Sequence, residues 1–333
     1  MLDILSSTLE CYRVSVRFYP EEDIHLDAWI GAVFRNRFLY FADSICDEEG
    51  ISLRSHLDKL SLSPDHVYYK QMKGGFPKGL LFDFRDIPGR RKDILYRNTI
   101  YSFDIVLIGK TVCHFPMVVQ ALSAMCADGI GHPLVLLHLI DVLEQNGEEQ
   151  IHLLYSENGM FLNMPEYAVC ISDFLTDTTD MVSLRLTFHT PLSLYQVKNK
   201  VEPELSYQHK MNGFPSFYQF VRSVAYRWSV LAMLYGEEML IEDKKEFEEQ
   251  LDQWIEASSL AVLQEASLRY RKIHSTPKKS ENHVYVMGGY EGHIVFQNVP
   301  KKYLPLLVWG MHIAVGDNVQ YGMGSYSVEV LSR

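Results

Sequence analysis

The sequence predicts an α+β protein with two tandem ferredoxin-like domains and a C-terminal glycine-rich loop. Its 333 residues are about twice the length of a typical single domain. The second half follows the order strand, helix, strand, strand, helix, strand, which is the ferredoxin-like arrangement. The first half can be read in the same order with extra strands. We therefore expect an N-terminal domain over residues 1–160 and a C-terminal domain over residues 180–333.

In the first half, apolar alternation predicts strands, and proline and glycine mark the limits of helices. Asp27 is a plausible N-cap for the first helix, and Pro116 and Gly129 suit the two ends of the second helix. The predicted elements are a strand over residues 12–19, a helix over 27–44, a strand–turn–strand over 66–84, a strand over 101–107, a helix over 116–129 and a hairpin over 134–155.

In the second half, the clearest element is a helix over residues 217–235, whose apolar residues recur at helical spacing. The other predicted elements are strands over residues 182–188 and 326–330, a charged helix over 243–265, two short strands over 284–287 and 293–296 on either side of a glycine-rich turn, and a helix over 300–313.

Composition limits the class of protein. Apolar residues make up 47% of the chain and charged residues 22%, which is typical of a globular protein and excludes disordered and collagen-like classes. No basic segment followed by an apolar run begins the sequence, and the most apolar stretch, residues 133–143, is too short to span a bilayer. The five cysteines are odd in number and form no C-x-x-C pair, so we expect a cytoplasmic protein without a metal site or cofactor.

The net charge of −11 is distributed unevenly. Residues 236–256 contain nine acidic residues and two lysines, whereas residues 269–279 contain five basic residues and no acid. Charges separated by more than about 8–10 Å are largely screened from one another, so the net charge does not decide whether the protein binds nucleic acid. We expect RNA contacts at Arg269, Arg271 and Lys272, with Tyr270 available for base stacking; a solvated loop is the alternative.

Three glycines lie in the loop over residues 316–324, between the last helix and the last strand. Because glycine has no Cβ, such a loop can bring backbone N–H groups close to a phosphate. The loop lacks the lysine of a P-loop and the context of a dinucleotide-binding turn. A tight turn without a ligand is therefore the alternative interpretation.

Several segments of the second half together carry a family pattern. They are residues 188–192 (FHTPL), residues 288–296 (GGYEGHIVF), and G-x-x-x-x-x-G-x-N-x-x-Y-G-M-G over residues 310–324. These segments resemble the C-terminal domain of the CRISPR-associated endoribonucleases that process precursor guide RNA, members of the RAMP superfamily. In the first half, residues 31–35 are similar to that family's G-x-x-hydrophobic-R helix, and residues 107–109 and 129–131 to its L-I-G and G-x-G segments.

The resemblance implies metal-independent cleavage of CRISPR repeat RNA, in which a 2′-hydroxyl attacks the adjacent phosphate and leaves a 2′,3′-cyclic phosphate. It implies RNA contacts at Gly316, Asn318, Gly322 and Gly324, and at Arg35 on the first helix. It also implies other CRISPR effector or adaptation proteins as partners, and a monomer or homodimer. In this family the catalytic histidine commonly lies near the first helix of the N-terminal domain or just after it.

The glycine-rich loop departs from the family pattern in two places. Many relatives begin this loop with H-V-G-K, but here Ala314 stands at the histidine position and Asp317 at the lysine position. His312 lies two residues before the vacant histidine position. The missing lysine removes one expected phosphate contact.

The candidate catalytic residues are His66, Lys70, Lys78 and His25. Side chains alternate along a strand, so His66 and Lys70 would share one face, and Lys78 follows shortly after them. Histidine suits proton transfer because its ordinary pKa is about 6.5. The alternatives are a surface strand with a polar side for His66 and an ordinary loop histidine for His25.

Two other functions remain open at this point. A non-catalytic RNA-binding RAMP subunit of a CRISPR effector complex fits the acidic net charge and the missing loop lysine. An α+β interaction protein without a role in RNA metabolism is the third interpretation. The length of the chain and the glycine-rich loop favour the processing endoribonuclease.

Overall fold

The computed structural model describes residues 9–58, 77–87, 93–146, 150–157, 162–174, 180–194, 215–236, 244–275 and 285–331. In these ranges, two antiparallel sheets each have helices packed on one face. The predicted α+β class and tandem ferredoxin-like arrangement are confirmed. Of the predicted elements, residues 66–76 lie outside the described residues. No helix within these ranges is long and apolar enough to cross a membrane.

The first sheet has the strand order of a ferredoxin-like fold with one strand added at an edge. Its strands are β1 (Cys11–Pro20), β3 (Leu80–Asp83), β5 (Tyr101–Ile108), β6 (Leu137–Gln145), β7 (Ile151–Ser156) and the short β8 (Ala168–Val169), and a separate ribbon pairs β2 (Ile24–His25) with β4 (Ile94–Leu95). The order across the sheet is β3-β5-β1-β6-β7, and β8 pairs with the start of β1. The helices of this half are α1 (Ile30–Ala42), α2 (Leu53–Asp58) and α3 (Phe115–Asp128).

The second sheet has the same ferredoxin-like order. Its elements are β9 (Met181–Leu192), α4 (Phe217–Tyr235), α5 (Lys244–Ile255), β10 (Val262–Ser275), β11 (Tyr285–Pro300), α6 (Leu304–Ile313) and β12 (Tyr326–Leu331). The strand order is β10-β11-β9-β12, with each pair antiparallel. The helix predicted over residues 217–235 is confirmed, and a capping box formed by Ser216 and Gln219 begins it.

Three predicted elements were wrong in their limits. The first helix begins at Ile30 rather than at Asp27, because Trp29 is the N-cap residue. The charged helix ends at Ile255, and a 3-10 turn leads into β10, so Arg269, Arg271 and Lys272 lie on a strand and not in the solvated loop that was the alternative. Residues 285–296 are not a hairpin with a glycine-rich turn but part of the single strand β11.

The glycines of β11 serve close packing rather than a turn. A Cβ at Gly289 would lie 2.5 Å from the carbonyl carbon of Leu192 on the neighbouring strand. A Cβ at Gly292 would lie 2.1 Å from the carbonyl oxygen of Ser267, and Gly292 has a φ of +119°. These positions therefore require glycine because the adjacent backbones leave no room for a side chain.

The two halves of the molecule bury side chains in each other's cores. Ile273 on β10 and Met287 on β11 pack in the core between the first sheet and its helices. Conversely, Cys11 on β1 and Ile108 on β5 pack in the core of the second half. The hairpin of β10 and β11 thus extends beyond its own sheet and fixes one half against the other.

A close approach between the halves joins α1 to the glycine-rich loop. The Trp29 indole Nε1 donates a hydrogen bond to the Tyr321 carbonyl oxygen at 2.6 Å. Two residues further along the chain, a Cβ at Gly31 would lie only 1.8 Å from the same oxygen. Only glycine at position 31 allows this approach.

A buried ion cluster lies beside this contact. Arg13 on β1 bonds Asp83 at 2.5 Å and Asp104 at 2.6 Å. Arg85 bonds Asp83 at 2.6 Å and donates to the Met311 carbonyl oxygen at 2.6 Å, near the C-terminal end of α6. A cation at this position is favourable because the helix dipole makes that end negative. The cluster therefore connects the first sheet to α6.

His312 is partly buried next to this cluster, and its buried Nδ1 has no hydrogen-bond partner among the described residues. Burial, assisted by the positive charges of Arg13 and Arg85, lowers the pKa of His312 to about 4. The same two arginines lower the pKa of Asp83 to about 2 against the opposing effect of its burial. The folded protein therefore holds His312 neutral at pH values at which a free histidine takes up a proton.

We expect Gly31→Ala to destabilise the protein by about 2 to 3 kcal/mol, because the added methyl group overlaps the Tyr321 carbonyl and forces α1 away from the loop. Urea unfolding of both proteins measures the difference. Gly50→Ala is the control, since a Cβ there meets nothing within 4 Å. The control should cost about 1 kcal/mol for its positive φ alone. Equal losses in the two variants would contradict the proposed clash.

We expect His312→Gln to reduce the acid sensitivity of folding. Because the folded pKa of His312 is below its ordinary value of 6.5, the unfolded chain binds a proton first, and stability falls as the pH is lowered from about 6.5 to 4. The variant should lose roughly 2 to 3 kcal/mol less than the parent between pH 7 and pH 4.5. Urea unfolding at both pH values tests this, and parallel losses would refute it.

Candidate nucleic-acid interface

The glycine-rich loop is a compact turn whose backbone is bonded to the protein. A single 3-10 turn, Val319–Tyr321, lies between Asn318 and Gly322, which both have left-handed backbone conformations. The N–H groups of Gly322 and Gly324 donate to the carbonyl oxygens of Val319 and Pro191. These two amides are therefore occupied within the fold and do not face a ligand.

At three glycines of the loop, other protein atoms occupy the space that a Cβ atom would need. A Cβ would lie 2.3 Å from the Ser193 carbonyl oxygen at Gly316, 2.6 Å from the Phe84 ring at Gly322, and 1.8 Å from the Val315 carbonyl oxygen at Gly324. Packing alone thus accounts for these three glycines. RNA contact at Gly316, Asn318, Gly322 and Gly324 stays a prediction.

Arg35 lies beside the loop, on the exposed side of its contact with α1. The guanidinium of Arg35 lies over the Tyr321 ring, 5.2 Å from its centroid, a cation–π geometry. Burial lowers the pKa of Arg35. The charge of Asp58 raises this pKa, and the charge of Arg54 lowers it further. Arg37 is directed elsewhere, since it pairs with Asp128 and donates to the Gly129 carbonyl oxygen. Of these two arginines, Arg35 is the one at the loop.

Two further cations extend this site along α2. Lys78 pairs with Asp58 at 2.7 Å. Arg54 pairs with Asp58 at 3.3 Å and with Asp43 at 2.7 Å. We call Arg35, Arg54 and Lys78 the cationic cluster; with its two acidic residues it carries a net charge of about +1 beside Tyr321.

Only two of the four predicted catalytic residues, Lys78 and His25, lie within the described residues. His66 and Lys70 lie outside the described residues. Lys78 belongs to the cationic cluster, where Asp58 holds its ammonium group. His25 is exposed on β2, and no described contact brings it to Lys78. The structure therefore brings Lys78 together with Arg35 and leaves the histidine assignment as a prediction.

A pair of histidines on the other flank of α2 was not among the predicted site residues. His56 on α2 stacks on His114, with ring centroids 4.3 Å apart. His56 Nε2 lies 2.7 Å from the Asp47 carboxylate. His114 ends the 3-10 helix Gly109–His114, directly before α3. The two histidines are 58 positions apart in the sequence, so no local spacing indicates the pair.

The basic residues of β10 divide into two kinds. Arg271 pairs with Asp93 at 3.0 Å and Glu291 at 3.6 Å, and its guanidinium lies 5.2 Å from the centroid of the Trp29 ring. It therefore fixes β10 against the first half of the molecule. Arg269 and Lys272 are exposed, and no described residue forms an ion pair with them. These two cations are available to RNA.

Tyr270 is an exposed aromatic side chain that shares a face of β10 with Lys272, whereas Arg269 lies on the opposite face because side chains alternate along a strand. Tyr270 is 55% exposed and contacts Tyr290 edge to face, with ring centroids 5.2 Å apart. Its ring also lies over Gly288, where a Cβ would be 2.7 Å from the Tyr270 hydroxyl. A fixed, exposed ring of this kind can stack on a base.

The sequence of the second half matches a known family. Residues 186–326 match the model of the CRISPR-associated endoribonuclease Cas6 family, and residues 76–166 match a second model, described as an N-terminal domain. The first match contains the whole glycine-rich loop. No protein of curated function matches the chain. Residues 186–326 therefore carry the sequence pattern of a family of RNA-cleaving enzymes.

Solved structures share the fold over almost the entire chain. A partial Cas6-RT-Cas1–Cas2 complex has a TM-score of 0.58 and 12% identity, covering 98% of this chain and 47% of that chain. A Cas6-RT-Cas1–Cas2 complex has the same TM-score, identity and coverage of this chain, but only 30% of that chain is covered. This chain thus spans about half or less of those proteins.

A third structure is similar to this chain in length as well as in fold. It is a Cas6 product complex, with a TM-score of 0.52 and 13% identity, covering 97% of this chain and 99% of that chain. At such identities the likeness concerns the fold. The resemblance to the CRISPR-associated endoribonucleases is therefore confirmed by the family model over residues 186–326, and nearly the whole chain shares the fold of the Cas6 product complex.

Proposed function

We propose that this protein is a CRISPR repeat-RNA endoribonuclease that cleaves precursor guide RNA. The match of residues 186–326 to the Cas6 family model carries this proposal. The docking of that segment's glycine-rich loop on α1 supports it, because the contact places Arg35 and its neighbours beside the loop. The proposed reaction is metal-independent attack of a 2′-hydroxyl on the adjacent phosphate, which gives a 2′,3′-cyclic phosphate and a 5′-hydroxyl.

This reaction requires cations near the phosphate, because negative charge builds up on it as the attacking oxygen adds. The cationic cluster provides three such groups on one rim of the molecule. The Arg35 guanidinium is fixed by Tyr321, and the Lys78 ammonium is fixed by Asp58. Because these two groups are already held in place, little entropy is lost when they contact the phosphate in the transition state.

The reaction also requires proton transfer. We propose His66, Lys70, Lys78 and His25 as candidate catalytic residues. The resemblance places the catalytic histidine near the first helix or just after it, and His56 on α2 meets that description as well. General acid–base catalysis by such a group contributes roughly 10²–10⁴-fold to the rate.

Repeat RNA is the proposed substrate, and other CRISPR proteins are proposed partners. Two of the similar folds come from complexes that contain Cas1 and Cas2, which supports adaptation proteins as partners. The exposed cations Arg269 and Lys272 are the proposed RNA contacts on β10, and Tyr270 lies on the same face as Lys272.

A non-catalytic RNA-binding subunit of an effector complex is the second candidate. The observation in its favour is Asp317, which stands where many relatives have a lysine and accepts a hydrogen bond from the Ser193 hydroxyl. An acidic residue built into the loop lowers its attraction for phosphate.

Incubation of the purified protein with its own repeat RNA in EDTA separates these functions. We expect cleavage at one site, with a cyclic phosphate on the 5′ product, because the proposed chemistry uses only side chains. Product ends are identified by mass spectrometry, and a shuffled RNA is the control. Bound but uncut RNA would support the non-catalytic subunit, and cleavage only after Mg²⁺ is added would contradict the proposed mechanism.

The salt dependence of RNA binding tests the proposed contacts on β10. Each lost contact with single-stranded RNA flattens the slope of log K against log salt by about 0.7, so Arg269→Ala with Lys272→Ala should flatten it by about 1.4. Arg222→Ala with Lys301→Ala removes the same charge from the helical side of the second sheet and should leave the slope unchanged. Equal slopes in the parent and the β10 variant would place the RNA elsewhere.

A further inference from the structure

The Asp47 carboxylate is held in one orientation by its own loop. Its Oδ1 accepts backbone hydrogen bonds from Glu49 at 3.0 Å and Ile51 at 2.8 Å. Its Oδ2 lies 2.7 Å from His56 Nε2. Because an ionised carboxylate only accepts, Nε2 of His56 carries the proton in this contact, and Nδ1 is left as the nitrogen that can exchange one.

The His114 imidazole restricts the plane of the His56 ring. The His114 ring stacks on His56 with an angle of 26° between the ring planes, so it contacts the face of His56 and not the edge that carries Nδ1. Burial lowers the pKa of His114, and the charge of His56 lowers it further, while Asp47 acts in the opposite direction. A positive charge on one ring therefore disfavours a charge on the other.

The position of α2 relates this histidine pair to the cationic cluster. Arg54 and Asp58 lie on one flank of the helix, where they bond Asp43 and Lys78. His56 lies on the opposite flank, since two helical residues further on means a rotation of about 200°. An RNA strand that crosses α2, about 10 Å wide, can contact the cluster on one side and the histidine pair on the other.

We propose that Asp47, His56 and His114 form one proton-transfer unit for RNA cleavage, in which His56 is the catalytic base and the other two are positioning residues. This inference rests on the proposed function. It assigns the proton transfer to a side chain that the sequence-based candidates do not include, and it gives Asp47 and His114 defined tasks. Asp47 orients the ring through its contact with Nε2, and His114 holds the ring plane by stacking.

The proposed step balances as follows. Nδ1 of His56 takes the proton of the 2′-hydroxyl while the 2′ oxygen bonds to phosphorus. The bond between phosphorus and the 5′ oxygen then breaks, and the 5′ oxygen takes a proton from water. His56 finally returns its extra proton to solvent, so that the RNA is divided without net gain or loss of protons.

Single-turnover cleavage of saturating repeat RNA tests this unit. His56→Gln should lower the rate constant by roughly 10²–10⁴-fold with little change in RNA affinity, because the lost proton transfer acts in the transition state. His114→Ala should cost about tenfold or more through misplacement of the ring, whereas His114→Phe, which retains the stacking, should recover most of the loss. Asp47→Asn should also slow cleavage and change the pH profile of the rate.

His138→Gln is the matched control. His138 also lies 2.7 Å from a carboxylate, that of Glu21, and stacks on an aromatic ring, that of Tyr19, but it is located on β6. The control should cleave at the parental rate. Parental cleavage by His56→Gln, together with loss of cleavage in His66→Ala or His25→Ala, would overturn this inference and leave the proposed function standing.

An NMR titration of the histidine ring protons tests the coupling without RNA. The pKa of His114 should rise in His56→Gln, because the neighbouring positive charge is removed. An unchanged His114 titration would overturn the coupled unit even if both variants cleave slowly. Absence of cleavage by the parent protein would overturn the proposed function instead, and the assigned catalytic role would be lost with it.

Discussion

The approach of α1 to the Tyr321 carbonyl is the constraint on which the rest of the structure depends. Gly31 leaves room for that oxygen, and the Trp29 indole bonds it. Once the loop is fixed there, Arg35, one helical turn beyond Gly31, lies over the Tyr321 ring. The Trp29 ring also contacts the guanidinium of Arg271 on β10 in a cation–π geometry. One buried indole and one missing Cβ therefore position both the cationic cluster and the hairpin that joins the two halves.

The docking of the loop on α1 gives the loop's glycines a structural role. The amides of Gly322 and Gly324 bond neighbouring carbonyls, and the missing side chains of these two glycines make room for Phe84 and Val315, so packing accounts for both glycines without a bound phosphate. Phosphate would then be bound by side chains around the loop. The absent lysine fits this arrangement, because Asp317 is bonded to Ser193 and the nearby cations come from α1, α2 and Lys78. The glycine-rich loop and the charged residues beside it belong to different halves of the chain.

Elements with a strong local pattern could be predicted, and features set by distant partners could not. Pro116 and Gly129 correctly indicated the ends of α3, because a missing N–H and a positive φ are local requirements. The glycines of β11 suggested a turn because close packing against Leu192 has no local signal. Arg271 was predicted as an RNA contact and stays a prediction, but its pairing with Asp93, 178 residues away, could not be foreseen. Arg35 was placed correctly on a helix, although Tyr321 beside it could not be foreseen.

The ion pairs of α2 explain how an acidic protein can present cations to RNA. Burial would raise the pKa of Asp58, but Lys78 and Arg54 lower it, so the carboxylate stays charged and holds the Lys78 ammonium in place. A phosphate that approaches Lys78 competes with a single partly exposed carboxylate, and exposed pairs of this kind contribute only about 0–1 kcal/mol. Replacement of Asp58 by phosphate as the partner of Lys78 therefore costs little free energy. The acidic residues at this site orient the cations without preventing binding, and the local arrangement, rather than the net charge of −11, determines what the surface attracts.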